Sequence, residues 1–407
     1  MVRPPLTVRD RRRHTEAALE PPGAPTSAHD QQLGAAPVRY TGHVDVRTTA
    51  PLVVSAWAGS TNLGDELILS ALLRKLRSHG ADAHVLSVDP PGTTAEHGAS
   101  ASSASHLAIR GRGRPRAVLL GGGGLLQDET SPFNLPFHLG RTSMAAARGP
   151  VAGVGLGVGP LSGRGGRVLV RRSLGRAVAT SVRDEPSRSL LRSIGVESVL
   201  AADLALSLPL PQVTVEGRVG VSLRPWTGGR HVLPVALRRR RPSPVTAPWF
   251  VPSMAASLDE IAGRTGLAIH FVALQGDRDD AVHRAVAGAM RTPSTSSVPT
   301  ASTVVEEVAS CEVVVAMRYH AGIAAVLGGR PAVLIGYSPK VPSLAREVPG
   351  GMLGTAWDET SLAELPATLG RVLGGTAAVL AARELLRVRE ARNDVVIEEL
   401  LAAARNI

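Results

Sequence analysis

The chain has 407 residues, 44% of them hydrophobic but only 3% aromatic, with 43 Gly and 30 Pro. That length exceeds one ordinary core, so two domains are expected, packed from Val, Leu, Ile and Ala rather than from aromatic rings. The formal net charge is +11, and Arg supplies 43 of the 45 cationic residues, Lys75 and Lys340 being the two lysines. Such a balance suits acidic small substrates, a membrane surface or nucleic acid. The arginines are scattered and few aromatics accompany them, which argues against nucleic acid and leaves a peripheral membrane contact open. The one cysteine, Cys311, excludes an internal disulfide and a Cys-rich metal centre, and just ahead of an apolar strand it reads as a core thiol. No apolar run reaches the roughly 18–20 residues of a membrane span. No h-region follows the first arginines before Pro21-Pro22, so cytoplasmic residence is the expectation.

Residues 1–50 mix Pro, Gly, Ser, Gln and charge without a period of 2 or 3.6, and read as a disordered or loosely attached arm. A first domain over 51–207 starts with an apolar strand, PLVVSAW at 51–57. The strand runs into Gly59-Ser-Thr-Asn-Leu-Gly-Asp-Glu, and a helix over 65–77 follows, with Ile68, Leu69, Leu72, Leu73 and Leu76 on one face. A Gly-rich turn between strand and helix offers backbone N–H groups and the positive helix end to an anion or to sugar hydroxyls. Asn62, Asp65 and Glu66 sit there; the two carboxylates either offset the helix dipole or bond sugar hydroxyls. The turn is neither GxGxxG nor a P-loop. A strand over 84–88 precedes a Ser/Ala/Gly linker to about Arg114. The run AVLL at 117–120 then opens into Gly121 to Gly124, where four glycines, Gly122, Gly123 and Gly124 among them, permit close approach to a ligand or tight packing. Strands over 151–157 and 177–182 and helices over 166–176 and 185–194 continue the alternation, which implies a parallel sheet. Arg183-Asp184 reads most simply as an ion pair at a strand end, with a role in the site left open.

A linker at 208–212 leads to a second domain over 208–373. RVGVSL at 218–223 is a strand ending in Arg224, well placed for a ligand carboxylate or phosphate. The segment 228–248 carries Arg238 to Arg241 among prolines and is either a solvated loop or a basic lid. A helix over 250–263 and a strand over 268–274 come next. Asp277, Asp279 and Asp280 open another helix, read as N-terminal capping. The stretch 311–340 reads as strand, turn, helix and strand, and sets Arg318, His320 and Lys340 at the loop positions where open α/β sheets hold ligands. Two cations beside an imidazole suit an anionic substrate that needs a proton. Helices over 341–347 and 362–372 follow, then a C-terminal helical segment over 374–407, amphipathic from about 377 to 404, expected to return across the first domain. Lys75 reads as an ordinary helix-surface residue.

Four separated pieces, NLGDE (62–66), LGGGGLLQDETS (120–131), SVRDEPS (181–187) and MRYHAGIAAVLGGRPAVLIGYSPKV (317–341), resemble in this order the motifs of the polysaccharide pyruvyl transferases. GVGPL (157–161) and ADLAL (202–206) fit the same pattern, over about residues 53–350. The usual Arg-Leu-His is Arg-Tyr-His here, so Tyr319 departs from it. The resemblance implies an α/β chain of two Rossmann-like domains facing a cleft, GT-B-like. It also implies transfer of pyruvate from phosphoenolpyruvate, as co-substrate without a separate cofactor or metal, onto a sugar or lipid-linked glycan of a cell wall or exopolysaccharide. On it His320 and Arg318 carry over as active-site residues, and Arg224 on a shorter match. His320 is then the proton donor, Arg318 and Arg224 bind the anion, and Lys340 contacts phosphate. A nucleotide-sugar glycosyltransferase and a non-catalytic glycan or anion sensor are the alternatives.

Overall fold

The computed structural model describes residues 52–103, 117–128, 131, 133–146, 149–226, 246–338 and 340–406. The N-terminal arm, the stretch 104–116 and nearly all of the basic segment 228–248 lie outside the described residues. The first sheet is built from β1 (Leu52–Ala58), α1 (Leu63–Ser78), β2 (Ala83–Ser87), α2 (Pro90–His97), β3 (Ser100–Ser103), β4 (Ala117–Leu120), β5 (Gly123–Leu126), α3 (Asn134–Ala146), β6 (Val151–Val158), α4 (Arg164–Leu174), β7 (Ala179–Val182), α5 (Glu185–Ser193) and β8 (Val199–Leu200), closed by a 3-10 turn at Leu204–Ser207. Its strands run in the order β3-β2-β1-β4-β6-β7-β8, with β5 also on β6. All the pairings are parallel. β1, β4 and β6 are almost wholly buried because helices cover both faces, which is why they read as continuous apolar runs.

The second sheet repeats the plan. It comprises β9 (Glu216–Ser222), α6 (Phe250–Thr265), β10 (Ala268–Val272), α7 (Gly276–Ala289), β11 (Ser294–Ser297), α8 (Val304–Ala309), β12 (Cys311–Ala316), α9 (Tyr319–Gly328), β13 (Ala332–Gly336), α10 (Lys340–Glu347) and β14 (Met352–Ala356), then α11 (Glu359–Ala363) and α12 (Leu365–Val372). Its order is β11-β10-β9-β12-β13-β14, again all parallel. Each sheet therefore reverses its strand order at one place, between β1 and β4 and between β9 and β12. Those switch points are where the loops after the strands part and leave a crevice.

An apolar core runs from one sheet to the other. α1 contributes Leu67, Leu69 and Leu72, β10 contributes Val272, and α9 contributes Ile323, Ala324 and Val326 to the same cluster. α9 is apolar all round, as a helix buried between layers must be. The α1 entry is stitched to the second sheet by Leu63 N–H donating to the Leu274 carbonyl at 2.9 Å. Cys311 is fully buried at the start of β12, and burial pushes its thiol up to about 11, so it stays protonated in the core.

The C-terminal segment folds as α13 (Thr376–Glu390) and α14 (Asn393–Arg405), and α14 packs on β6 and β7 of the first sheet. Asn393 anchors the break between them: its Oδ1 accepts from Ser181 Oγ at 2.7 Å and its Nδ2 donates to the Ala202 carbonyl at 3.1 Å. Arg387 Nη1 donates to the carbonyls of Leu206 and Leu208. Lys75, expected on a helix surface, instead points into this seam, 3.2 Å from Glu390 and 2.9 Å from Asp394. Periodicity on α1 marks the face toward the first sheet but carries no trace of a tail three hundred residues away.

Burial of Glu390 outweighs Lys75 and pushes its carboxyl up from 4.5 to about 7. A carboxyl with a raised folded pKa stabilises the fold most below its unfolded pKa, and that contribution declines as pH rises through the folded value. Glu390→Gln removes the titration. Between pH 5 and 8 its thermal midpoint should fall less than that of the wild type, the profiles diverging by roughly 2–3 kcal/mol at 1.36 kcal/mol per pKa unit. Parallel profiles would refute the assignment.

Candidate active site

The turn after β1 is folded back by Glu66. Its Oε1 accepts from the backbone N–H of Gly59 at 2.8 Å and of Ser60 at 3.2 Å, and its Oε2 meets His97 Nε2 at 2.9 Å. Glu66 is therefore a buried organiser of the loop, both of its oxygens already bonded within the protein. Glu66, Glu96 and His97 are close enough to share a cation, but the Glu66–His97 bond already joins two of the three. Asn62 donates through Nδ2 to Asp65 Oδ2 at 2.6 Å, so Asn62 aims Asp65. Burial raises the Asp65 carboxyl above the ordinary range, opposed by His320, Asn62 and Lys340.

The four glycines after β4 divide between packing and the site. A Cβ at Gly122 would lie 2.8 Å from Leu204 Cδ1 and 3.1 Å from Ile68 Cγ2, so close packing by itself calls for a glycine there. Gly123 needs glycine for its φ of +96° and sits beside Asp65. Gly124 alone opens onto cations: a Cβ there would be 4.0 Å from Arg183 Nη2 and 4.0 Å from Lys340 Nζ. Both readings of the glycine run have a place here: β5 starts at Gly123 and passes α1 closely, while Gly124 lines the cavity.

Arg183 ends β7 and is buried, its Nη1 donating to Asp203 Oδ2 at 3.0 Å and its Nε 3.5 Å from Asp184 Oδ2. Asp203 also faces His320, whose Nε2 is 3.6 Å from the same Oδ2. Burial pushes the Asp203 carboxyl up, but His320, Arg183 and the Ala205 N–H outweigh it and bring it down to about 2. His320 thus faces Asp203 and is within electrostatic reach of Asp65, both carried by the first sheet's elements, although it starts a helix of the second. Its ring packs on Gly64, where a Cβ would come 2.2 Å from Nδ1. Gly64→Ala should cost about 1–3 kcal/mol of stability through that overlap, with the protein still folded, and lower turnover about 100-fold by displacing the imidazole. Full activity in that variant would show that the His320 position is not critical.

On the second sheet Arg318 is buried and committed. Its Nε donates to Asp279 Oδ2 at 2.9 Å, and its Nη2 donates to Asp279 Oδ1 and, at 2.8 Å, to Gln275 Oε1. Asp279, expected to cap α7, is instead the fully buried partner of Arg318, and α7 has no side-chain cap. Arg318 therefore braces the turn from β12 into α9, and a ligand has only Nη1 left to meet. Arg224, at the end of β9, donates through Nη1 to Tyr337 Oη at 2.8 Å and lies 4.7 Å from that ring's centroid. Burial pushes the Tyr337 phenol up, yet Lys340, Arg224 and Arg318 together bring it down to about 8. Positive charge thus gathers around Lys340 from both sides.

A cavity of about 310 Å³ opens at this point. Gly124, Gly157, Arg183, Ser187, Lys340 and Arg346 are among its lining residues. Lys340, Ser343 and Arg346 come from one face of α10, at the spacing of successive helical turns. The sequence does not single out Asp203, Tyr337 and Arg346 as site residues, and Arg183 reads there first as an ion pair with a site role open. Three of the four sit inside the quoted motifs, Arg183 in SVRDEPS, Asp203 in ADLAL and Tyr337 in the stretch 317–341.

The family model for polysaccharide pyruvyl transferase matches residues 62–339, well over half of the chain. The chain belongs to the polysaccharide pyruvyl transferase family. That stretch contains Asp65, Arg183, Asp203, Arg318 and His320, and ends next to Lys340. The backbone is similar to the UDP-GlcNAc 2-epimerase of Neisseria meningitidis bound to UDP-GlcNAc, at TM-score 0.52 and 11% identity, covering 87% of this chain and 100% of that one. A putative UDP-N-acetylglucosamine 2-epimerase of Listeria monocytogenes gives TM-score 0.54 and 10% identity over 84% of this chain and 96% of that one. The calicheamicin glycosyltransferase CalG4 gives 0.50 and 12%, over 87% and 98%. At such identities the likeness concerns the fold, which is GT-B-like, as the family resemblance implied. No curated protein matches the chain in sequence. For a pyruvyl transferase, the Tyr319 that stands where leucine is usual is an internal residue, its ring against Arg183.

Proposed function

We propose that this pyruvyl transferase takes pyruvate from phosphoenolpyruvate and attaches it as a ketal to two hydroxyls of a sugar in a polysaccharide or its precursor, releasing phosphate. The observation that carries the reading is the convergence of Arg183 and Lys340 on Gly124 beside His320 and its two carboxylates. Phosphoenolpyruvate brings a carboxylate and a phosphate, and a fixed guanidinium and an ammonium that lie on either side of a side-chain-free backbone suit those two groups.

His320 donates a proton to C3 of the enol, which becomes the methyl group, and C2 gains positive character. A sugar hydroxyl adds to C2, and the bond from C2 to the bridging oxygen breaks, so that oxygen leaves with phosphate. A second hydroxyl adds to C2 and completes the ketal, the two hydroxyl protons passing to solvent or to the enzyme. Asp65, with its raised carboxyl facing His320, suits the acceptance of a hydroxyl proton. Asp203 stays ionised and faces the ring that carries the transferable proton. Arg183 and Lys340 meet the charge that grows on the departing phosphate.

The fold alone would equally serve a nucleotide-sugar transferase, and ligand-induced stabilisation separates the two. Phosphoenolpyruvate should raise the melting temperature by several degrees at saturating concentration, with UDP-sugars giving no comparable rise. The reverse pattern would favour glycosyl transfer.

A further inference from the structure

Arg183 is held on three sides by groups of different kinds. Its guanidinium carbon lies 4.1 Å from the centroid of the Tyr319 ring, within the range of a strong cation–π contact. Its Nη1 is tied to Asp203. Toward β6 it packs on Gly157, where a Cβ would fall 2.9 Å from both Nε and Nη2. Nε has no hydrogen-bond partner, and Nη2 is the nitrogen nearest Gly124 in the cavity. Since Nε lies 3.5 Å from Asp184 Oδ2, Nη2 is the nitrogen turned toward the cavity, while the ring supports the guanidinium. Tyr319 is buried, and among the described residues its hydroxyl forms no hydrogen bond; its ring also meets His320 edge-on at 5.3 Å. Acidic groups at Asp203, Asp184 and Glu347 lie around the phenol, and burial raises its pKa, so the ring stays neutral.

We infer that Tyr319 is a positioning residue that fixes the Arg183 guanidinium for the anion of the donor, through its ring and not through its hydroxyl. The inference rests on the phosphoenolpyruvate reading for the identity of the anion, but its geometry concerns any phosphate-bearing ligand of Arg183. A flexible arginine must lose side-chain freedom when it clasps an anion; a ring stacked beneath it removes that freedom beforehand. The effect belongs in affinity for the anion more than in the proton transfer at His320.

The test compares Tyr319→Phe, Tyr319→Leu and Tyr319→Met, with Gly157→Ala, whose Cβ would displace the same guanidinium. Two readouts are taken: steady-state kinetics with phosphoenolpyruvate, and calorimetric titration with phosphoenolpyruvate and with inorganic phosphate. Tyr319→Phe should match wild type. Tyr319→Leu, Tyr319→Met and Gly157→Ala should raise KM and Kd about tenfold with kcat changed less than threefold. If the ring-free variants bind phosphate and phosphoenolpyruvate as wild type does, or if Tyr319→Phe loses as much as Tyr319→Leu, the inference is overturned. It is overturned as well if wild type binds neither anion. If wild type does not turn over phosphoenolpyruvate but the ring-free variants still lose phosphate affinity, the positioning role stands and the functional reading falls.

Discussion

His320→Gln should lower pyruvyl transfer about 1000-fold, the scale expected when a positioned acid is removed, with circular dichroism and melting temperature close to wild type. Glutamine retains hydrogen-bonding capacity toward Asp203 but has no proton to give to C3. Structural damage should be small because His320 lies in the first turn of α9 and is partly exposed, whereas Ala321 to Leu327, behind it, form the buried face. KM for phosphoenolpyruvate should change little, since Arg183 and Lys340 remain. An equal loss in binding would mean that the imidazole holds the donor and does not protonate it. Unchanged turnover would remove His320 from the chemistry altogether.

Asp279→Ala should destabilise the protein by about 3–5 kcal/mol, the cost of leaving a buried guanidinium without its carboxylate. Asp279 is fully buried and Arg318 nearly so, and their bidentate contact has Gln275 as its one further side-chain partner. The loss is measured as a shift of the urea midpoint at constant slope. Removing both charges together, Asp279→Leu with Arg318→Met, should cost less than Asp279→Ala alone, because no buried charge is then left unpaired. If Asp279→Ala is instead stable within about 0.5 kcal/mol but loses donor binding, Arg318 is a ligand-binding residue and its pairing with Asp279 is incidental to folding.

The β-α alternation was legible because strands buried on both faces are apolar throughout and α1 repeats its leucines at helical spacing. Shorter elements were not. α2, with Pro90, Pro91 and Gly92 in its first turn, and β3, composed of Ser and Ala, lay inside a stretch read as linker. Their stability comes from the neighbouring β2 and from Asp89, whose side chain accepts from Gly92 N–H, and not from an apolar pattern of their own. β11 and β14 were missed for a similar reason: at the two edges of their sheet they bury little, so the one is all Ser and Thr and the other shows no clear alternation.

In the site, the positions came through better than the pairings. Arg318, His320 and Lys340 stand at strand ends where the sequence placed them, and Asp65 faces His320 across the crevice. Which arginine is available to a ligand depends on partners distant in sequence. Arg318 is neutralised by Asp279, thirty-nine residues earlier, and Arg183 is steered by Asp203 and Tyr319. Glu66 and Gly122 also carry structural duties that the motif letters do not show, since one closes its own loop and the other makes room for Leu204. Motif letters mark where evolution needs a residue type. Only the packing separates a group that touches substrate from one that holds the loop.

The central claim is that C2 of phosphoenolpyruvate is transferred with loss of phosphate, and the route of the bridging oxygen tests it most directly. Phosphoenolpyruvate labelled with heavy oxygen at the bridge between C2 and phosphorus is incubated with the enzyme and a panel of glycan acceptors, and the products are read by mass spectrometry. The account predicts an acceptor heavier by one ketal-linked pyruvyl group, unlabelled at the ketal, with one labelled phosphate released for each ketal formed. Labelled pyruvate alongside unlabelled phosphate, or an acceptor extended only when a UDP-sugar is supplied, would contradict it.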